Sequence, residues 1–66
     1  MLFAYDTQVP DWHAAYAAVA PTGIAGFYIV TPDERPTRVR LMIEGASDAA
    51  AGGILERARR ALASTA

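Results

Sequence analysis

The chain has 66 residues, a net charge of −1 and no cysteine. Its length supports one domain, so we expect a single domain over residues 1–66. Disulfides are excluded, and one histidine without cysteine argues against structural zinc, so we expect no metal and no cofactor. A core this small commonly needs a further source of stability, and here that source is association with itself or with another protein.

The N-terminal sequence and the apolar runs bear on location. No apolar run approaches the roughly 20 residues that span a bilayer. The first residues, MLFAYD, contain no basic segment of the kind that begins a signal peptide. We therefore expect a cytoplasmic protein that does not contact a membrane.

The charges divide the chain into an acidic half and a basic half. Residues 1–34 contain four acidic and no basic residues, which gives −4. Residues 35–66 contain six arginines and three acidic residues, which gives +3. Such a chain can attract a second copy head to tail or present a basic face to an anion, although solvated surface charge is the simpler interpretation.

The first half of the chain predicts a strand, a helix and a second strand. The apolar run Leu2–Tyr5 predicts the first strand. A helix then opens with Pro10 at its first position and Asp11 near the positive end of its dipole. Its apolar stripe consists of Trp12, Ala15, Tyr16 and Val19. Residues 21–23 end this helix, and the β-branched and aromatic run Ile24–Val30 predicts the second strand.

The second half predicts a third strand and a last helix. A polar loop over residues 31–36 leads into a strand over Thr37–Glu44, whose side chains alternate between apolar and polar. This alternation directs Val39, Leu41 and Ile43 to the core, and the second and third strands form an antiparallel hairpin. Ser47 is the predicted N-cap of the last helix.

The glycine pair Gly52-Gly53 leaves the start of the last helix open. Glycine inside a helix costs roughly 1 kcal/mol relative to alanine, so the helix either begins near Gly53 or uses these small residues to let another backbone approach. We favour the late start. Further along, Glu56 and Arg60 form an i, i+4 pair in the favourable orientation.

The order of elements predicts an α+β fold, β-α-β-β-α, in two layers with two helices on one face of a three-stranded sheet. This order resembles the ferredoxin-like split βαβ fold without its last strand. In that fold the fourth strand lies beside the first, so its absence leaves the first strand with an open edge that another chain can pair with.

The sheet face that points away from the helices is the predicted site of partner binding. One phase of the first strand places Phe3 and Tyr5 on this face, and the other phase points both inward. With the first phase, the predicted partner-binding residues are Phe3, Tyr5, Tyr28, Val30, Arg38, Arg40 and Met42. A face this apolar is not typical of a surface that meets only water.

Three interpretations compete for this face. The first is a dimer interface, in which two sheets pack face to face or a sheet edge pairs. The second is a platform for single-stranded nucleic acid, on which aromatic rings stack on bases and arginines contact phosphates, although the negative net charge argues against it. In the third, Phe3 and Tyr5 point inward and the outer face is ordinary surface.

An enzyme or ligand-binding dimer is a further alternative, with His13, Tyr16 and Arg40 as its polar groups. No serine, threonine or cysteine lies at an obvious spacing from His13, so the sequence does not assemble a nucleophile, a base and an orienting group, and we assign no catalytic residue. The leading hypothesis is a small non-enzymatic interaction protein that acts as a homodimer or as a subunit binding another protein.

Overall fold

The computed structural model describes residues 1–65, which form three strands and two α-helices in the order β-α-β-β-α. The strands are β1 (Leu2–Val9), β2 (Gly26–Ile29) and β3 (Thr37–Glu44), and the helices are α1 (Trp12–Val19) and α2 (Asp48–Ala63). The predicted α+β fold is confirmed. Within residues 1–65, neither helix combines the length and the apolar character that crossing a membrane requires.

The sheet is antiparallel throughout, with β3 in the centre and strand order β1-β3-β2. Strand β1 pairs with β3 along its whole length, from Leu2 opposite Glu44 to Val9 opposite Thr37. Strand β2 pairs with the other side of β3, where Phe27 lies opposite Leu41. The predicted hairpin of β2 and β3 is therefore correct, and both β1 and β2 are edge strands.

The core lies between the inner face of the sheet and the two helices. Its centre is the alternating row Val39, Leu41 and Ile43 of β3, which is fully buried as predicted. The helices contribute small side chains to its centre and larger ones, such as Leu55 and Leu62, that are partly buried around it. The fully buried helical residues are Ala15 and Val19 of α1 and Ala51 and Ala58 of α2. The fully buried part of the core is therefore small, and most of its larger neighbours are only partly buried.

Strand β1 and helix α1 differ from the prediction at the point where they meet. Strand β1 continues to Val9 because its second half pairs with β3, so Asp6 lies inside the strand rather than after it. Pro10 precedes the helix instead of opening it. Asp11 is the N-cap, and its side chain accepts a hydrogen bond from the backbone N–H of His13 at 3.0 Å. In the predicted apolar stripe, Tyr16 is exposed.

Helix α2 begins at Asp48, directly after the N-cap Ser47, whose side chain accepts a hydrogen bond from the N–H of Ala50. The predicted cap is confirmed, and the predicted late start at Gly53 is wrong. The cap and the packing of Ala51 in the core hold the first turn in place despite the glycine pair. The predicted Glu56–Arg60 ion pair is present, with Arg60 Nε 3.3 Å from Glu56 Oε1.

Strand β2 is shorter than predicted, since it covers Gly26–Ile29 rather than Ile24–Val30. The residues on either side of β2 still form backbone hydrogen bonds with β3. The N–H of Ala25 donates to the carbonyl of Met42, and that of Val30 donates to the carbonyl of Arg38, both at 2.8 Å. The residues beyond each end therefore remain attached to the sheet.

Candidate functional site

The phase of β1 decides which residues the outer face carries. Phe3 lies opposite Ile43 and Tyr5 opposite Leu41. Residues directly opposite in an antiparallel pair point to the same face, so both aromatic side chains point towards the helices, where they are partly buried against the core. The prediction that Phe3 and Tyr5 lie on the outer face is therefore wrong, and the inward phase is correct.

The outer sheet face is the surface of the sheet opposite the helices. Its residues are Leu2, Ala4, Asp6 and Gln8 of β1, Arg38, Arg40, Met42 and Glu44 of β3, Gly26 and Tyr28 of β2, and Val30 just beyond β2. Five of the seven predicted partner-binding residues meet here: Tyr28, Val30, Arg38, Arg40 and Met42. Leu2, Ala4 and Asp6 were missed because the apolar run at the start of the chain does not reveal its phase.

An apolar patch occupies the β2 side of the outer sheet face. The Tyr28 ring lies over Gly26. A Cβ atom built on Gly26 would be only 3.0 Å from Cε2 of that ring. Tyr28 is 57% exposed and Val30 is 40% exposed. Together with Met42 they line a shallow depression of about 490 Å³ that opens outward. Because glycine has no side chain, the Tyr28 ring can lie directly against the backbone of Gly26.

An ion pair occupies the middle of the same face. Arg40 lies directly opposite Asp6 and binds its carboxylate with two bonds, Nε to Oδ1 at 2.8 Å and Nη2 to Oδ2 at 2.9 Å. Hydrogen bonds from Arg40 lower the pKa of Asp6 below its ordinary value, and the same contact raises the pKa of Arg40. The guanidinium of Arg40 is therefore committed to a partner within the chain.

The open edge of β1 is a second unpartnered feature of the sheet. Met1 and Gly45 exchange both backbone hydrogen bonds, N–H to O, at 2.7 and 3.0 Å. Since bonded and non-bonded pairs alternate along an antiparallel ladder, the odd-numbered residues of β1 bond to β3. The even-numbered ones direct their N–H and C=O groups to the open edge: Leu2, Ala4, Asp6 and Gln8. No strand within residues 1–65 pairs with this edge.

A groove runs beside the open edge, between β1 and the C-terminal end of α2. Its volume is about 310 Å³. Tyr5, Thr7 and Val9 form its floor on the strand side, and Arg59 and Leu62 form its wall on the helix side.

The residues considered for catalysis do not meet. His13 stacks on Trp12 with ring centroids 3.6 Å apart, and its Nδ1 lies 3.5 Å from Asp11 Oδ1. The rings of Tyr16 and Phe27 pack edge to face, with their centroids 5.3 Å apart. Both belong to α1 on the inner side of the sheet, whereas Arg40 lies on the outer side. Within residues 1–65, no three His, Asp or Glu side chains gather where they could hold a metal ion.

Comparisons of the chain with known protein families, with curated proteins and with solved structures found no match. The geometry of the sheet is therefore the basis for assigning a function.

Proposed function

We propose that this protein is a small non-enzymatic protein–protein interaction module, which acts as a homodimer or as a subunit binding another protein through its sheet. The observation that carries the proposal is the exposed apolar patch that Tyr28, Val30 and Met42 form on the β2 side of the outer sheet face. Five large hydrophobic side chains of residues 1–65 are exposed, and three of them lie on that face: Leu2, Tyr28 and Val30.

The composition of the core supports this proposal. Within residues 1–65, eight hydrophobic residues are buried, and three of them are alanines. Burial of apolar surface is worth roughly 25 cal/mol per Å², and large side chains that pack on this core, such as Phe3 and Tyr5, stay only partly buried within one chain. A protein partner on the sheet adds apolar burial that the single chain lacks.

Single-stranded nucleic acid fits the same face less well. The exposed Tyr28 ring could stack on a base and Arg38 could approach a phosphate. Arg40, however, is neutralised by Asp6, and the chain carries a net charge of −1. A labelled single strand should therefore show no binding even at low salt, and binding that weakens steeply with added salt would favour this alternative.

The molar mass of the full chain in solution tests the proposal. Light scattering on a sizing column, over a wide range of protein concentration, should give a species of twice the 7.0 kDa mass of one chain. Repeating the measurement at high salt separates association of the acidic and basic halves, which salt weakens, from apolar association, which it does not. A 7.0 kDa species at every concentration would contradict the homodimer.

A further inference from the structure

We propose that two copies of this chain join through the open edges of β1, antiparallel to each other and centred on Tyr5, and so form one six-stranded sheet. This inference rests on the proposed function, because it names the partner as a second copy and β1 as the contact. The backbone groups at the edge, the side chains beside them and the charges on the outer sheet face support this contact.

The backbone groups favour one register. Two copies related by a two-fold axis at Tyr5 place Leu2 opposite Gln8 of the partner subunit, and Ala4 opposite Asp6 of the partner subunit. All four residues with outward N–H and C=O groups then lie in hydrogen-bonded positions. Tyr5, whose own backbone groups bond to β3, falls on the axis at a position that needs no further bond.

The neighbouring registers are poorer. Moving the axis to Asp6 places two carboxylates directly opposite each other, and like charges opposite each other destabilise a strand pair. Moving the axis to Ala4 leaves Gln8 beyond the end of the partner strand, where its backbone groups have no bond. The register centred on Tyr5 avoids both faults and keeps Asp6 opposite an alanine.

The side chains beside the edge fit the same arrangement. Phe3 and Tyr5 point to the core and yet stay partly exposed, whereas Leu41 and Ile43 opposite them are fully buried. The difference arises because β1 has no neighbour on its outer side. A second β1 would cover Tyr5 and bring its own side chains to the groove of about 310 Å³ that Tyr5 lines. Edge pairing also covers part of the exposed Leu2.

The charges argue against the alternative in which two outer sheet faces pack together. Such a contact would bury the Asp6–Arg40 pair, and removing two charges from water is costly even when they remain bonded to each other. Edge pairing leaves the pair on the sheet surface. The other open edge, that of β2, is formed by four residues and offers fewer bonds. The edge of β1 is therefore the favoured contact.

Proline at position 4 tests the edge contact. Ala4→Pro removes an outward N–H that makes no bond within the chain, and it is tolerated at an edge strand in that orientation. We expect the dimer dissociation constant to rise by at least about tenfold, since two symmetry-related bonds are lost and the ring obstructs the edge. Ala4→Val is the matched control: it keeps the N–H, favours a strand and should leave the constant within about threefold. Circular dichroism establishes that both variants fold.

Single cysteines test the register, because the chain contains no other cysteine. In the proposed dimer, opposite Cβ atoms at position 5 lie about 4.5–5.5 Å apart, close to the separation that a disulfide bridges. Tyr5→Cys should therefore form a disulfide-linked dimer under mild oxidation. Thr7→Cys, whose copies would be about 14 Å apart along the strand, should remain unlinked.

These results separate the inference from the proposed function. A wild-type dimer that Ala4→Pro dissociates and that Tyr5→Cys links supports the inference. A dimer that persists in folded Ala4→Pro, or that is linked by Thr7→Cys instead, overturns the edge contact and leaves the interaction function standing. A wild-type chain that is monomeric at every concentration overturns the inference and the homodimer together.

Discussion

The Asp6–Arg40 pair is the residue-scale feature on which several conclusions depend. It joins the acidic half of the chain to the basic half. It lies in the middle of the outer sheet face, beside the apolar patch of Tyr28, Val30 and Met42. It removes Arg40 from the groups available to a phosphate, and it makes burial of the outer sheet face costly. This one cross-strand contact therefore argues against nucleic-acid binding and against a dimer in which two outer sheet faces pack together.

The pKa of Asp6 reports this contact directly. Hydrogen bonds from Arg40 hold that pKa below the ordinary 3.8, with a smaller contribution from the charge of Arg38. In an NMR titration of the side-chain carboxyl, Arg40→Gln should raise the pKa of Asp6 to near its ordinary value. Arg38→Gln, the matched control, should raise it much less. Equal shifts in the two variants would contradict the bidentate geometry.

The sign of the pH effect follows from the lowered pKa. The folded state holds the Asp6 carboxylate more strongly than the unfolded chain does, so the pair contributes to stability above pH 3.8. That contribution is lost as the pH falls through the lowered folded-state pKa. In acid titrations followed by circular dichroism, Arg40→Gln should remove this part of the pH dependence.

At the scale of elements, the glycines of α2 and of the turn before it have opposite roles. A Cβ on Gly52 would meet no atom within 4 Å, whereas one on Gly45 would lie 2.5 Å from the backbone nitrogen of Ala51. Gly52→Ala should therefore stabilise the protein by about 0.5–1 kcal/mol. Gly45→Ala should destabilise it by about 1–3 kcal/mol, because the backbones must separate.

Urea unfolding of the two alanine variants at one fixed protein concentration measures both effects, because association changes apparent stability. A Gly52→Ala variant less stable than the wild type would indicate that another backbone approaches this position, which is the alternative weighed for the glycine pair. A neutral Gly45→Ala would contradict the close packing of the turn against the start of α2.

The sequence predicts some elements well because their pattern of apolar and polar residues is consistent with only one buried face. In β3, two arginines alternate with the buried Val39 and Leu41, so the boundaries and the buried face were both predicted correctly. In β1, Leu2–Tyr5 is apolar at every position, and the phase cannot be read from a pattern that does not alternate. The polar residues from Asp6 to Gln8 resemble a loop until their pairing with β3 is known.

Contacts between strands could not be predicted from the sequence, because the pattern of one strand does not show which residues of another strand lie opposite. The Asp6–Arg40 pair joins residues 34 positions apart, and only the alignment of β1 on β3 brings them opposite each other. Tyr28 was correctly predicted on the outer sheet face, but the position of its ring over Gly26 depends on its side-chain rotamer, which the sequence does not give. The residues of the apolar patch could be predicted, whereas their arrangement could not.

At the scale of the whole molecule, residues 1–65 form a thin slab of 34 × 21 × 13 Å between extreme Cα atoms, with both α-helices on one face of the sheet. Two such slabs joined along β1 would keep both helix layers on one side and both outer sheet faces on the other. The apolar patches formed by Tyr28, Val30 and Met42 would then lie at the two far sides of one continuous surface.

Amide hydrogen exchange along β1, measured at several protein concentrations, tests the central claim most directly. The amides of Tyr5 and Thr7 bond to β3 and should be protected at every concentration, which provides an internal control in the same strand. The amides of Ala4 and Asp6 point to the open edge. Their protection should increase with protein concentration as the dimer forms. Rapid exchange of both in samples whose molar mass is that of a dimer would contradict association through this edge.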